Sequence, residues 1–492
     1  MGHLTRDPLA AAVPAYGRRR NRPARIPGRP ADSTWPWGQR HLLLAPRKPV
    51  RAMDKIWMAD PDTSPPTGRA ALETPTFHIP FITALVFAVS MFKGLRMPSL
   101  WAATHMTFNY SQGFLRRGLF GQVLRIFGEE RIYRYNFLFL CAVVLFVLAA
   151  IALLLLIRRM FAGERGDRGL QAATLVLAAS PGMVFLVHEI GYLDYMGIVA
   201  VPLFVLWAAR SRRLFLVFYV AIPISIILAL IHESMIVMFA PAMLFTMVCH
   251  ITTRGAGLPR RTRVLLVVHA ILATVVALAA SSVSGTLGTA NAEQVRALQE
   301  SIARHADFSL RGDGFDALQR SLRDNLLVVL PAHWSHPANR NYLITSLAVS
   351  LPGLAFLGSY GVRLLGRLGI TRRARLILTI IFLAATVSPL LLNFIGWDSA
   401  RWNAIAFMAC FFCLASIRLF FLAPTTTIET KGRSHRIDDG LTLTFAAVAI
   451  VTGLCTSYDG YLFDGYTVRW FPFLGQFESA IDLIKGGFKT IP

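Results

Sequence analysis

The chain has 492 residues, of which 54% are hydrophobic and 16% charged, with a mean hydropathy of +0.51. Its apolar residues gather in runs of bilayer-spanning length, which excludes an ordinary soluble enzyme and describes an all-α, polytopic transmembrane helical bundle. A formal net charge of +23 would mark a soluble chain as a nucleic-acid binder, but the excess sits in the N-terminal stretch and in short loops between apolar runs. There it sets topology, so the expected surroundings are the lipid bilayer and no nucleic-acid partner is expected.

Residues 1–76 are rich in Pro, Arg and Ala, with Arg18, Arg19, Arg20, Arg22, Arg25 and Arg29 close together and no apolar period. This reads as a disordered basic segment ahead of a transmembrane domain over 77–492. Met53 and Met58 stand as alternative starts just before the first span, so an over-extended reading frame is one account of the segment.

The first span is expected from about His78 to Leu95, an outer loop over 96–134, and a second span from about Tyr135 to Ile157. Within that loop Leu115, Leu119, Val123, Leu124 and Phe127 recur at helical spacing, which predicts an amphipathic helix lying at the interface. Arg158, Arg159, Arg165 and Arg168 then mark a cytoplasmic loop. A third span (169–187) leads out to His188, Glu189, Tyr192 and Asp194, and a fourth returns to Arg210, Arg212 and Arg213. A fifth (214–231) leads out to His232-Glu233-Ser234, and a sixth returns to Arg254, Arg260, Arg261 and Arg263.

The seventh span (264–283) opens into a large outer loop over 284–341, where a helical stretch from Glu293 to Arg304 and a later His-, Trp- and Arg-rich stretch predict a folded lid with two short helices. The eighth span returns to Arg363, Arg367, Arg372, Arg373 and Arg375; the ninth (376–395) leads out to Trp397, Asp398, Arg401 and Trp402; the tenth returns to Lys431, Arg433 and Arg436. The last span (441–456) leaves an outer tail over 457–492, with Asp459, Tyr461, Asp464, Tyr466, Arg469 and Trp470 as aromatic and acidic candidates for the same outer site. Positive charge falls on the same side at every turn, giving about eleven spans with the N-terminus in and the C-terminus out.

This topology brings Glu189, Asp194, His232, Glu233 and Asp398 to one side of the membrane together with Arg116, Arg117 and Arg401. Ionisable groups at apolar helix ends are costly unless they pair or serve a watery site, and four separate connections supply them here. Two arginines in a connection on the outer side also run against the positive-inside rule, and an anionic ligand is the simplest reason for them. Each motif has a plainer reading: lipid-headgroup contact for Arg116 and Arg117, capping or arginine pairing for Glu189 and Asp194, an i, i+3 salt bridge for Asp398 and Arg401, and interfacial anchoring for Trp397 and Trp402. His232-Glu233 is the sharpest, because almost no loop solvates it.

No metal is assigned, because neither His-Glu dipeptide has the spacing that places two imidazoles on one helical face; a divalent metal stays open only as one assembled from separate loops. The Cys410-x-x-Cys413 pair lies inside an apolar run and reads as packing. No cofactor is expected either, and Gly285-Thr286-Leu287-Gly288 lacks the strand-to-helix context of a phosphate loop.

The segment Gly113-Phe114-Leu115-Arg116-Arg117-Gly118-Leu119, the acidic motifs at outer helix ends and the large late outer loop together resemble the multi-spanning bacterial membrane proteins of surface-polysaccharide assembly. Those are the GT-C-type glycosyltransferases and the O-antigen or exopolysaccharide polymerases. The resemblance covers about 77–492 and is architectural. GT-C enzymes place a catalytic acid in the first outer loop, where this chain offers only Glu129 and Glu130 near the end, so the polymerase-like reading stays equally open.

What the resemblance implies is a multi-pass protein of the bacterial inner membrane with a periplasmic C-terminus, whose partners are a polyprenyl-(di)phosphate-linked glycan donor and a glycan acceptor. Arg116, Arg117 and Arg401 would hold the lipid phosphates; Glu189, Asp194, His232 or Glu233 would act as general base, and Asp398 would orient a partner. A transporter or flippase of an anionic lipid-linked substrate, and an acyl or phosphoalkyl transferase acting on glycans, are the alternatives.

Overall fold

The computed structural model describes residues 78–94, 97–162, 167–394, 398–422, 440–458 and 466–468, all within the compact unit Leu72–Pro492. The expected basic segment over 1–76, Trp397 and all of the outer-tail candidates except Tyr466 lie outside the described residues.

The chain is helical. Helix α1 spans His78–Gly94 and is followed by α2 (Leu100–Met106), α3 (Leu119–Leu124) and α4 (Glu129–Ile132) in the loop over 96–134. Next come α5 (Tyr135–Met160), α6 (Arg168–Ala179), α7 (Pro181–His188), α8 (Tyr195–Arg210), α9 (Leu216–Ile231), α10 (Met235–Arg254) and α11 (Arg260–Leu287). The loop over 284–341 carries α12 (Ala292–Ala303), α13 (Gly312–Gln319) and the short turns α14 (Leu322–Asp324) and α15 (Leu330–Ser335). The bundle closes with α16 (Pro337–Arg367), α17 (Arg372–Val387), α18 (Ser399–Phe421) and α19 (Gly440–Cys455). A small antiparallel ladder pairs β1 (Thr456–Tyr458) with β2 (Tyr466–Val468).

Every expected span is met by a helix, but by length and hydropathy six helices are able to cross a membrane, or seven when α6 and α7 count as one bent span. The bend of 44° has a local cause. Ser180 is extended and caps α7 by accepting from the Met183 N–H at 3.2 Å, and Pro181, which has no N–H to give, opens the new helix.

Burial divides the helices into lipid-facing and central ones. On α5 the residues Leu138, Ala142, Leu145, Ala149, Leu153 and Leu156 are buried at helical spacing, while Leu140, Val144, Val147, Ile151 and Leu154 face outward. That is the pattern of a peripheral span with one stripe on its neighbours and the rest toward acyl chains. Helix α18 is buried nearly all round, with Ala404, Ala406, Ala409 and Ala415 allowing close approach of α7, α8, α10, α16 and α17.

The bundle has two chemically different poles. At one, Arg158 and Arg159, Arg210, Arg254, Arg367 and Arg418 occupy the last turns of α5, α8, α10, α16 and α18, where cations suit the exposed carbonyls. Arg418 is anchored there by Asp167 at 3.4 Å and donates from Nε to the Met160 carbonyl at 3.3 Å.

At the other pole the loops over 96–134 and 284–341, which the sequence presents separately, interlock into one cap. Arg116 N–H donates to Gly288 O at 2.9 Å and Asp307 N–H to Tyr133 O at 3.3 Å. Tyr135 N–H donates to Asp307 Oδ1 at 2.7 Å, and Arg311 N–H to Thr104 Oγ1 at 3.1 Å. Phe108 and Phe315 pack ring to ring at 5.2 Å beneath these bonds.

Candidate functional site

The loop over 96–134 is folded by its own polar residues. Asn109 donates from Nδ2 to Thr107 O and the Tyr133 hydroxyl, and its Oδ1 accepts from the Ser111 N–H at 2.9 Å. Gln122 Oε1 accepts from the Tyr110 N–H at 3.2 Å. The polar run around Arg116 therefore serves the loop's shape. The expected amphipathic helix is confined to α3 and a following 3-10 turn at Arg125–Phe127, and Leu115 lies outside it, buried in the loop. A side chain at Gly121 would run into the Phe108 carbonyl oxygen and stand 2.8 Å from that of Met106, so only glycine lets α3 fold back on the segment before it.

That fold delivers Arg116 and Arg117 onto the junction between α9 and α10, where Glu233 waits. Arg117 clasps the carboxylate bidentately, from Nε to Oε2 at 3.2 Å and from Nη2 to Oε1 at 2.6 Å. Its backbone has φ of 65°, the left-handed region, which a non-glycine residue holds only when its surroundings fix it. Arg116 Nη1 stands 3.8 Å from the same Oε1, and its Nε is buried with no hydrogen-bond partner among the described residues. Burial pulls the Arg116 guanidinium down to about 10, which still leaves it charged at neutral pH.

Neighbouring His232 accepts on Nδ1 from the Ser234 N–H at 3.2 Å and lies 2.7 Å from the Ser234 hydroxyl. Burial, reinforced by Arg117, holds this imidazole well below its usual value, so it is neutral with its proton on Nε2. Burial alone would raise the Glu233 carboxyl, but Arg117 and Arg116 outweigh it and hold the group well below the carboxylate range. The Ser281 hydroxyl pins the Glu233 carbonyl at 2.8 Å.

A second cluster is built on α18. Arg401 in its first turn donates from Nε and Nη2 to Asp194, with Nη2 to Oδ1 at 2.8 Å, and from Nη1 to Asp398 Oδ2 at 3.2 Å. The expected i, i+3 bridge is present, and a bridge over 207 residues of chain adds to it. Burial raises the Asp398 carboxyl, against the pull of Arg401. Glu189 sits beside Tyr192, whose phenol burial pushes well above its usual value.

A stack of flat groups runs from this cluster toward the first. The Arg401 guanidinium lies 5.0 Å from the Tyr192 ring centre, Tyr192 stacks on Trp101 at 4.9 Å, and Trp101 on His105 at 3.6 Å. His105, on α2, is within electrostatic reach of Arg117, His232, Arg401 and Glu233, and burial holds it well below the usual imidazole value. Sequence reading missed it. The available signal was the four-residue spacing of Trp101 and His105, which puts both on one face of a short helix in the same loop as Arg116. Lys93 was missed as well; it is buried and donates to the Gly453 and Leu454 carbonyls, capping α19.

Of the eight residues singled out, Arg116, Arg117, His232 and Glu233 form one group and Asp194, Asp398 and Arg401 another. Glu189 joins the second through Tyr192. Among the described residues no group of three or more His, Cys, Asp and Glu is placed to hold a metal ion.

No curated protein and no solved structure matches the chain. Residues 78–307, which contain the loop over 96–134 and every site residue up to Glu233 but not Asp398 or Arg401, match the model of a family described as "Uncharacterised membrane protein Rv1490".

Proposed function

We propose that the chain is a membrane-embedded glycosyltransferase or polysaccharide polymerase that takes sugars from a polyprenyl phosphate or diphosphate at the outer face of a bacterial inner membrane. The observation that carries this reading is Arg116. Its guanidinium is 4% exposed, its nearest carboxylate oxygen is 3.8 Å away, and its Nε has no partner among the described residues. Arg116 and Arg117 share the single carboxylate of Glu233, so the pair retains positive charge for a phosphate, and the planar fork of Arg suits phosphate oxygens.

In the proposed reaction the acceptor hydroxyl oxygen forms a bond to the donor sugar's anomeric carbon as the bond from that carbon to the phosphate oxygen breaks. Arg116 and Arg117 stabilise the charge gathering on the departing phosphate. Glu233 and Asp194, each clasped by an arginine, act as positioning residues. Asp398 is the carboxylate best suited to take the hydroxyl proton, because burial raises it and only its Oδ2 is bonded to Arg401.

The same reading takes all eleven apolar segments as crossings, with the N-terminus cytoplasmic and the C-terminus periplasmic; the arginine-rich pole supports that orientation. The 44° break between α6 and α7 supports a second reading, transport of an anionic lipid-linked substrate, since broken helices are a device of transporters.

The test is glycan profiling of a deletion strain complemented with wild type, Arg116→Met or Asp398→Asn. The transferase reading predicts that both variants fail to restore surface glycan and accumulate lipid-linked sugar exposed at the outer face. Accumulation at the inner leaflet favours transport, and a normal profile on deletion refutes both.

A further inference from the structure

The loop over 284–341 runs from the cap to α16 through a stretch that neither cluster uses. Helix α13 packs on α2, and the Arg311 N–H is bonded to Thr104, so the stretch starts at the cap. It ends where α16 begins at Pro337, and α16 runs from there to Arg367 at the arginine-rich pole. Residues 322–335 therefore enter and leave at the same pole. At 1.5 Å per residue they reach about 21 Å at most, short of the ~30 Å hydrocarbon core, so they do not cross it.

The ends of this stretch are polar and its middle is apolar. Asp324 Oδ2 accepts from the Ser321 N–H at 2.8 Å and from its hydroxyl at 2.7 Å, and Ser321 Oγ accepts from the Asp324 N–H at 3.1 Å. This reciprocal capping pins the first turn. Arg323 and Asp324 are exposed at this end, His336 and Arg340 at the other. Between Asp324 and His333 the chain reads Asn325-Leu326-Leu327-Val328-Val329-Leu330-Pro331-Ala332, with no ionisable side chain. Leu326 is exposed there, Leu327 is 62% exposed and Val328 64%. A single exposed leucine needs no explanation, but three large apolar neighbours turned outward mark a surface that something apolar covers.

The backbone fits the same surroundings. Asn325–Val329 forms a π-helical turn in which the Leu330 N–H donates to the Asn325 carbonyl. Pro331 has no N–H for the carbonyl one α-helical turn before it, and a local π turn is one way a proline-bearing helix satisfies its carbonyls away from water.

The neighbouring span indicates what covers the run. Leu376, Ile380, Leu383 and Val387 are exposed at helical spacing along α17, and Leu391 and Phe394 continue that spacing through the 3-10 turn at Ser388–Phe394. Arg372–Phe394 is one of the six segments apolar enough to cross a membrane, so this face lies against acyl chains. Trp334 stacks on Phe394 with ring centres 6.5 Å apart, which joins the stretch to that face. On its other side α16 turns Ile344, Leu347 and Leu351 outward.

We propose that residues 322–335 dip into the bilayer from the cap pole, with Leu326, Leu327 and Val328 among the acyl chains and Trp334 as an interfacial anchor. The partner is the lipid leaflet itself, whatever the arginine clusters bind. A lid standing in water and a contact with a second copy of the chain are the competing accounts, and one measurement separates all three.

The full chain, in nanodiscs of phosphatidylethanolamine and phosphatidylglycerol, carries a nitroxide label on Leu327→Cys or Val328→Cys. Wild type labelled in parallel corrects for the native cysteines. Oxygen concentrates among acyl chains and a nickel chelate stays in water, so the ratio of their collision rates with the label reports its surroundings. Val147→Cys, on the outward face of α5, sets the lipid value, and Glu300→Cys, on the exposed face of α12, sets the water value. The ratio at Leu327 and Val328 is expected to lie several-fold above that at Glu300 and close to that at Val147. A ratio equal to that at Glu300 overturns the proposal in favour of a lid in water. Weak collision with both reagents overturns it in favour of a covering protein surface.

Discussion

Replacement of Arg401 gives the sharpest prediction about what holds this pole together. Arg401 and Asp194 are each 5% exposed, and the guanidinium makes two bonds to Asp194 and a third to Asp398. Arg401→Met removes the cation and leaves two carboxylates within electrostatic reach of one another with nothing between them. Breaking a buried pair in this way costs about 3–5 kcal/mol, mostly the penalty of an uncompensated buried charge. Asp194→Asn leaves Arg401 its bond to Asp398 and costs less, about 2–3 kcal/mol. The double variant Arg401→Met/Asp194→Asn removes both charges and recovers much of the loss, so a double-mutant cycle returns a coupling of about 2–3 kcal/mol. Reversible unfolding of the detergent-solubilised protein reads all four corners. An Arg401→Met protein within about 1 kcal/mol of wild type, or a double variant equal to the sum of the singles, would refute the claim that this bridge is a desolvated, mutually dependent pair.

Other outcomes follow from the same geometry. Arg117→Met strands Glu233 with one distant guanidinium and is expected to destabilise by about 2–4 kcal/mol, whereas Arg116→Met, which gives up only a 3.8 Å contact, is expected to lie within about 1 kcal/mol of wild type; the opposite ranking in thermal melts would reject the division of labour between them. His105 and His232 are both held neutral in the fold, so the unfolded chain binds more protons and stability falls as pH drops below about 6.5, by up to about 1.4 kcal/mol per pH unit for each. A His105→Phe/His232→Gln variant with an unchanged slope between pH 6.5 and 5 would contradict this. The stability that Glu233 contributes is present above its unfolded pKa of about 4.3 and is lost only as pH falls through its depressed folded value, so Glu233→Gln alters the melting curve below pH 4 and leaves the pH 5–6.5 slope intact. Gly121→Ala drives a methyl into the Phe108 and Met106 carbonyls and is expected to cost about 1–3 kcal/mol; a melting temperature equal to wild type would show that the loop refolds freely.

Helices were legible where hydropathy decides. Expectations of His78–Leu95, Tyr135–Ile157 and 441–456 meet helices at His78–Gly94, Tyr135–Met160 and Gly440–Cys455, because a long apolar run flanked by arginines has few other ways to satisfy its backbone. The seventh span, expected over 264–283, extends over Arg260–Leu287. Helix breaks were less legible: Ser180-Pro181 divides what read as one span, since a Ser-Pro pair both caps and interrupts.

At the site, residue types were legible and pairings were not. Glu233 was found from its position between two apolar spans, but nothing local marks Arg117 as its partner 116 residues away, and the bridge from Arg401 to Asp194 is a product of packing alone. The large outer loop was expected as a lid of its own. Its hydrogen bonds to Tyr133, Tyr135, Gln112 and Thr104 make it one body with the first loop, a tertiary fact carried mainly by backbone groups that no sequence pattern displays. His105 escaped for the opposite reason: a single histidine in a seven-residue helix has no distinctive pattern, and only its unpartnered nitrogen sets it apart.

The central claim is that the guanidinium pair at this pole binds the phosphate of a lipid carrier. The most direct measurement is the affinity of the purified protein for a polyprenyl phosphate in wild type and Arg116→Met, with the uncharged polyprenol as control. The account predicts that wild type prefers the phosphate over the alcohol and that Arg116→Met loses about 10- to 100-fold in phosphate affinity, the worth of a charged hydrogen bond, with no change toward the alcohol. Equal binding of phosphate and alcohol by wild type, or undiminished phosphate binding by a folded Arg116→Met protein, would contradict it.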